Sequence, residues 1–164
     1  MILSFAKIYP EVKSKLLLIG DGPERPNLEQ YCREIGLCHE IRFLGKQDAV
    51  EELLAISDLF ILPSANESFG LAALEAMACE VPVISTNIGG LPEVVRHDYN
   101  GYLCNVGDSD AMAKYGIELL SNESKLATFR SNALSTAKEF DIDGIVSEYE
   151  RYYDSVIEKA NALV

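Results

Sequence analysis

Short apolar segments that alternate with helical patterns constrain the fold of this chain more than any other feature. Five such segments occur, and each is followed by a loop that contains glycine, proline or serine. They are Lys15–Ile19, Glu40–Leu44, Asp58–Leu62, Pro82–Thr86 and Gly101–Cys104. Segments that are apolar on both faces are typical of a parallel sheet covered by helices on both sides. The sequence therefore predicts an α/β fold with a doubly wound parallel sheet, whose ligands bind beyond the carboxyl ends of the strands.

Helical periodicity fills the intervals between these segments. The predicted helices span residues 24–35, 50–56, 69–79, 109–120, 124–138 and 142–160. Helix 69–79 is apolar nearly all round, which predicts that it is buried. The tyrosines of the last helix, Tyr149, Tyr152 and Tyr153, have helical spacing, which favours packing over a surface for stacking a ligand.

The first nine residues predict the end of an amphipathic helix whose beginning the sequence does not contain. A βα unit cut partway through explains this pattern most simply. We therefore expect residues 1–164 to form a single domain that is a fragment of a longer polypeptide, without that domain's first strand.

Charge and cysteine usage limit the classes of partner. The chain has 26 Asp and Glu residues against 14 Lys and Arg residues, a formal net charge of -12. Nucleic acids and anionic membranes attract clustered cations, so we predict neither as a partner. No apolar run approaches the ~18 residues of a membrane span. The four cysteines form no CxxC pair and neither histidine has metal-ligand spacing, which predicts reduced thiols, no metal site and a cytoplasmic location.

The segment from Asn66 to Ala78 predicts a binding site for an anionic ligand. Ser68 is a plausible N-cap, which would leave Phe69, Gly70 and Leu71 in the first helical turn with unpaired backbone N–H groups. Such a helix end binds anions through its free donors and its dipole. Glu75 would lie roughly 12 Å from Glu67 along a regular helix. A nucleotide sugar has a matching layout, with a diphosphate between a ribose and a hexose.

Structural roles for the same residues stay open at this point. Glu67 could be a solvated loop acid, Ser68 an ordinary cap and Glu75 a surface residue. For Glu75 this alternative is awkward, because apolar neighbours surround it in the sequence and a buried glutamate needs a partner.

Two glycine-rich loops could line the same cleft or could be simple turns. Gly20-Asp21-Gly22-Pro23-Glu24 follows a strand and opens a helix, but Arg25 stands where a dinucleotide fingerprint needs its third glycine. In Asn87–Glu93, adjacent glycines permit a tight turn and Pro92 begins a helix. The chain has no GxxxxGK[ST], GxSxG or HExxH motif, so P-loop and hydrolase functions have no support.

These motifs together resemble the C-terminal domain of the family 4 retaining glycosyltransferases. The resemblance runs from about Lys15 to Tyr153, and its most specific part is the ExxFGxxxxEA pattern that begins at Glu67. It implies the C-terminal half of a GT-B fold, in which two Rossmann-like domains face each other across a cleft. Several stretches look most like the branch of the family that acts in bacillithiol synthesis and moves N-acetylglucosamine from UDP to L-malate.

The resemblance also implies roles for individual residues. Glu67 matches the first glutamate of the EX7E motif, which contacts the transferred sugar and stands in the catalytic position. Glu75 matches the second, which binds the ribose hydroxyls. The helix start receives the diphosphate or sugar, and the loops near the base complete the site. The implied donor-binding residues are Ser68, Phe69, Gly70, Leu71, Glu75, Gly20, Asp21, Gly22, Gly45 and Lys46.

Two departures from the family pattern stand out. Glu80 occupies a position that usually holds glycine, and the cationic pair that contacts the donor phosphates belongs to a segment that this sequence lacks. The resemblance implies a UDP-sugar donor with no cofactor or metal, and a small acceptor held by an N-terminal domain. A non-catalytic nucleotide-sugar-binding module and a GT-B sugar-nucleotide epimerase are the alternatives. The oligomeric state is left open, a homo-oligomer included.

Overall fold

A computed structural model describes residues 1–161. The five strands are β1 (Leu16–Ile19), β2 (Ile41–Gly45), β3 (Phe60–Leu62), β4 (Val83–Thr86) and β5 (Gly101–Cys104). The helices are α1 (Ile2–Ile8), α2 (Arg25–Glu34), α3 (Val50–Ala55), α4 (Leu71–Ala78), α5 (Leu91–Val94), α6 (Ser109–Leu120), α7 (Glu123–Glu139) and α8 (Ile142–Asn161). All five predicted strands are present, and each predicted helix has a counterpart.

The strands form two parallel sheets, one of β1 and β2 and one in the order β3-β4-β5. In the first sheet Leu16 pairs with Ile41, and the register shifts between Leu18 and Ile19. In the second sheet Val83, at the start of β4, pairs with Phe60 on one side and with Gly101 on the other. Because parallel strands share one direction, the loops after β3, β4 and β5 emerge at the same edge.

Helices cover both faces of the second sheet. Val83 faces a core built from α3, α4, α5 and α7, whereas its neighbour Ile84 faces a core built from α6, α7 and β5. Helix α1 packs against the first sheet through Ile2 and Phe5 and against α6 through Ile8, which lies beside Gly116. These layers confirm the predicted α/β fold with parallel strands and helices on both sides.

Helix α4 differs from its prediction in two respects. It begins at Leu71, with Gly70 as the N-cap residue in a left-handed conformation (φ 103°), so the prediction that Ser68 caps it is wrong. It is also not buried all round: Ala73, Ala76 and Met77 are buried, whereas Leu71 is 65% exposed. One face of α4 is therefore open to solvent at the carboxyl edge of the sheet.

The tyrosines of α8 also differ from their prediction. The exposed fractions of Tyr149, Tyr152 and Tyr153 are 58%, 64% and 59%. Their rings contact one another, with centroids 6.2 Å apart for Tyr149 and Tyr153. Within residues 1–161 they do not serve as core packing residues.

The four cysteines are free thiols. Burial raises the pKa of the Cys104 thiol to about 11, and burial together with a hydrogen bond to the Cys38 side chain raises the pKa of the Cys32 thiol to about 11. Thiols with raised pKa values are poor nucleophiles, which agrees with a structural role. None of the helices within residues 1–161 combines the length and apolar character that crossing a bilayer would need.

Glu80 occupies a strained backbone position at the end of α4. Its φ is 60°, in the left-handed region that disfavours residues with a Cβ atom. We expect Glu80→Gly to raise the free energy of unfolding by about 1 kcal/mol and the melting temperature by roughly 2–4 °C. Thermal unfolding followed by circular dichroism measures this shift. Glu80→Ala is the matched control, because it removes the carboxylate but keeps the Cβ atom; an equal gain from alanine would contradict the strain explanation.

Candidate donor-binding site

The loop between β3 and α4 holds the predicted sugar-contacting glutamate. Glu67 is half-buried, and its Oε1 atom accepts a hydrogen bond from the backbone N–H of Ser68 at 3.1 Å. The start of the loop is tied to the end of β4, because the Thr86 hydroxyl donates to the Ser64 carbonyl oxygen at 2.7 Å. Phe69 anchors the other side of the loop, where its ring meets that of Phe140 at 5.9 Å in an edge-to-face contact. The carboxylate is thus carried on a loop fixed at both ends.

The first turn of α4 offers unpaired donors. The Gly70 carbonyl oxygen accepts from the N–H groups of Ala73 and Leu74. Among residues 1–161, the backbone N–H groups of Gly70, Leu71 and Ala72 have no hydrogen-bond partner. Together with the positive end of the helix dipole, these groups are suited to binding an anion. The donors available for the predicted anion site therefore begin at Gly70, one residue later than the Phe69 that a Ser68 cap would have given.

Glu75 lies on the exposed face of α4, one turn after Leu71. The expectation that burial forces a partner on Glu75 is wrong, because its side chain is exposed and makes no hydrogen bond or ion pair within residues 1–161. Residues four apart share one helix face, so Leu71 and Glu75 form a continuous exposed strip that begins at the free N–H groups. An exposed carboxylate in this place is accessible to a ligand.

A second group of predicted residues meets at the end of the first sheet. The Gly20 N–H donates to the Gly45 carbonyl oxygen at 2.7 Å, which joins the loops after β1 and β2. Both glycines have positive φ, 111° for Gly20 and 68° for Gly45. The N–H of Gly22 bonds the Asp21 carboxylate at 2.9 Å, and Lys46 is exposed beside Gly45. The two glycine loops thus form one polar rim.

Arg25 is a further candidate for the site. In the sequence it stands out only because it replaces the third glycine of a dinucleotide fingerprint. Its Nη1 atom lies 3.6 Å from the position that a Cβ atom on Gly45 would occupy. A hydrogen bond to Glu29 raises the pKa of Arg25 above its ordinary value. Arg25, which is ion-paired with Glu29 at 2.9 Å, therefore places its guanidinium group beside the joined loops, and its position two residues after Gly22-Pro23 could have indicated this.

Ser85 is a second residue that the sequence analysis does not select. It is fully buried on β4, and its hydroxyl has no hydrogen-bond partner within the described chain. It shares a strand face with Val83, which packs against α4. A buried hydroxyl without a partner is uncommon and calls for an explanation.

The predicted residues therefore form two groups, one at the end of each sheet. Within residues 1–161 no hydrogen bond, ion pair or ring contact joins the two groups. Two surface depressions of about 240 and 220 Å³ lie beside α1, and none of the predicted site residues lines them. The same part of the chain contains no cluster of three or more His, Cys, Asp or Glu side chains arranged to hold a metal ion.

Comparison with known proteins connects this geometry to a family. Residues 1–136 match the family described as glycosyl transferases group 1. The chain is 46% identical over 166 aligned residues to N-acetyl-alpha-D-glucosaminyl L-malate synthase of Bacillus anthracis, covering 100% of this chain and 44% of that enzyme. It spans less than half the length of this relative.

Solved structures show the same fold. Anabaena Alr3699/HepE in complex with UDP superposes with a TM-score of 0.86 at 31% identity, over 93% of this chain and 43% of that one. The C-terminal domain of LpcC from Francisella tularensis, a glycosyl transferase group 1 family protein, has a TM-score of 0.72 at 26% identity, over 85% of this chain and 78% of that domain. The predicted Rossmann-like α/β fold is confirmed. Since the family match covers most of its residues, the chain belongs to the group 1 glycosyl transferases.

Proposed function

We propose that this chain is the donor-binding half of a retaining glycosyltransferase that moves N-acetylglucosamine from UDP to a small acceptor such as L-malate. The observation that carries the proposal is the row of free N–H groups at the start of α4, which lie between Glu67 and Glu75 in the sequence. The 46% identity to the malate synthase supports the choice of sugar and acceptor. The UDP and UDP-glucose complexes of HepE support a UDP-sugar donor.

The proposed pose follows the order of groups along α4. Gly70 and Leu71 N–H groups face the diphosphate, Glu75 takes the ribose hydroxyls, and Glu67 orients the hexose. The base lies towards the loops that contain Gly20, Asp21, Gly22, Gly45 and Lys46. The half-buried position of Glu67 and the exposure of Glu75 suit these two roles, because the hexose must be shielded from water whereas the ribose need not be.

The proposed reaction passes through an oxocarbenium-like transition state. Negative charge develops on the leaving UDP, and donors already fixed at the start of α4 stabilise this charge without reorganising. Glu67 orients the sugar and is not assigned as a nucleophile. Because Glu67 and Glu75 would contact different parts of one ligand, the two-carboxylate rule of retaining glycosidases does not apply to them.

In the proposed reaction a further domain binds the acceptor, and donor binding requires no cofactor or metal. Helix-end donors offset part of the phosphate charge. The free thiols are consistent with a cytoplasmic location. The chain covers 44% of the length of the malate synthase. We therefore expect the chain alone to bind the donor without turnover, in the manner of a nucleotide-sugar-binding module.

An NMR titration of this chain with UDP-N-acetylglucosamine, UDP, ADP and GDP tests the proposal. We expect both uridine ligands to shift the amide signals of Gly70 and Leu71 more than ADP or GDP do. Glu75→Gln should weaken the binding of both uridine ligands by about tenfold, because one hydrogen bond to a charged group is lost. Glu80→Gln is the matched control at the opposite end of α4 and should leave binding unchanged. Equal shifts by all four ligands, or none, would contradict the donor assignment.

A further inference from the structure

Two adjacent glycines form a close backbone contact with the loop that carries Glu67. A Cβ atom built on Gly89 would lie 1.7 Å from the Glu67 carbonyl oxygen. One built on Gly90 would lie 2.7 Å from the Phe69 Cα atom and 2.8 Å from the Ser68 carbonyl oxygen. Distances below about 3.0 Å require movement, and backbone atoms have no rotamer with which to retreat.

The same loop is held at two further points. Gly70 approaches Leu91, whose Cδ2 atom lies 2.8 Å from the position of a Cβ on Gly70. Leu91 begins α5 and is fully buried in the core that α4 and α5 share. At the other end, the Thr86 hydroxyl bonds the Ser64 carbonyl oxygen at 2.7 Å. The Glu67 loop therefore rests on the loop after β4, and that loop is anchored in the core.

We propose that Gly89 and Gly90, with the Thr86 hydroxyl, are positioning residues that set the location of the Glu67 carboxylate relative to the donor sugar. This inference rests on the proposed function. A group that orients a substrate must be held to within about 0.5 Å, and a methyl group at position 90 would displace Phe69 and Ser68 by a comparable distance. The glycines act through Glu67 and are not assigned a contact with the ligand.

A substitution at Gly90 tests this steric effect without adding backbone strain. Its φ of -82° and ψ of -4° are ordinary for any residue, so alanine introduces no conformational penalty there. Gly89, with φ 52°, would combine strain with the clash. Gly90→Ala is therefore the informative variant. Gly144→Ala is its matched control, since a Cβ atom on Gly144 meets nothing within 4 Å and φ is not in the left-handed region.

Calorimetric titration of the chain with UDP-N-acetylglucosamine and with UDP tests the inference. We expect Gly90→Ala to weaken UDP-N-acetylglucosamine binding about tenfold more than it weakens UDP binding, because only the sugar nucleotide carries the group that Glu67 orients. Thr86→Val removes the second tether without adding volume and should produce the same split, more weakly. If Gly90→Ala fails to fold, the result for Thr86→Val alone tests the positioning role. A general structural defect would weaken both ligands equally.

The outcomes distinguish this inference from the proposed function. If wild-type chain binds neither ligand, the proposed function fails. If the wild type prefers UDP-N-acetylglucosamine, and the folded Gly90→Ala and Thr86→Val variants keep that preference, the proposed function stands and the positioning role is overturned. Loss of the preference in Gly144→Ala would also overturn it, because that variant changes nothing near Glu67.

Discussion

A Glu67→Gln substitution in the full-length enzyme is expected to reduce kcat/KM for glycosyl transfer by about 10- to 150-fold. Hydrogen bonds to a charged group contribute about 1.5–3 kcal/mol, and each 1.36 kcal/mol changes a rate tenfold. The amide keeps the size of the side chain but loses the charge that we propose orients the sugar hydroxyls. Initial-rate measurements with UDP-N-acetylglucosamine and a small hydroxy acid acceptor measure the change.

The control for this prediction is Glu52→Gln, which removes one exposed carboxylate from α3. It changes net charge by the same amount and should leave kcat/KM within about twofold of the wild type, because an exposed charge outside the proposed site is screened by salt. If Glu67→Gln and Glu52→Gln have equal activity, Glu67 is not part of the site. If Glu67→Gln affects UDP binding as strongly as transfer, Glu67 contacts the nucleotide and not the sugar.

The strands could be predicted from the sequence because burial on both faces leaves a continuous apolar run. The run at 82–86 became β4, whose four residues are all buried. The order of the strands could not be predicted, because periodicity reports burial and carries no information about neighbours. The division into one sheet of two strands and one of three accordingly appears in the structure alone.

The start of α4 was predicted incorrectly because a long-range contact overrides a local preference. Ser68 is a good N-cap residue type, but its backbone lies so close to Gly90 that a Cβ atom there would be 2.8 Å from the Ser68 carbonyl oxygen. The left-handed Gly70 then begins the helix. The separation of 22 residues between Ser68 and Gly90 hides this contact from any pattern within one segment.

The exposure of Glu75 was also predicted incorrectly. Its apolar sequence neighbours predicted burial, but Leu71, one turn earlier on the same face, is also exposed. Composition therefore overestimated the buried fraction of α4, at the same face where the ligand is proposed to bind.

Asn100→Leu is expected to lower the free energy of unfolding by about 3–5 kcal/mol. Asn100 is fully buried. Its amide group donates to the Val94 carbonyl oxygen at 3.1 Å and to the Thr136 hydroxyl at 2.9 Å, and its Oδ1 atom accepts from the Arg96 N–H at 2.8 Å. Leucine fills a similar volume but leaves these buried groups unpaired. The melting temperature should fall by about 10 °C.

Asn132→Leu is the matched control, because Asn132 makes one hydrogen bond, to the Tyr99 carbonyl oxygen at 2.9 Å, in an exposed position. Water replaces that bond, so its loss should cost less than about 1 kcal/mol. Urea unfolding of both variants measures the difference. Asn100 joins the end of α5 to α7, and α5 begins at Leu91, which lies against Gly70 at the end of the Glu67 loop. Equal destabilisation by the two variants would mean that the Asn100 network does not hold α5 in place.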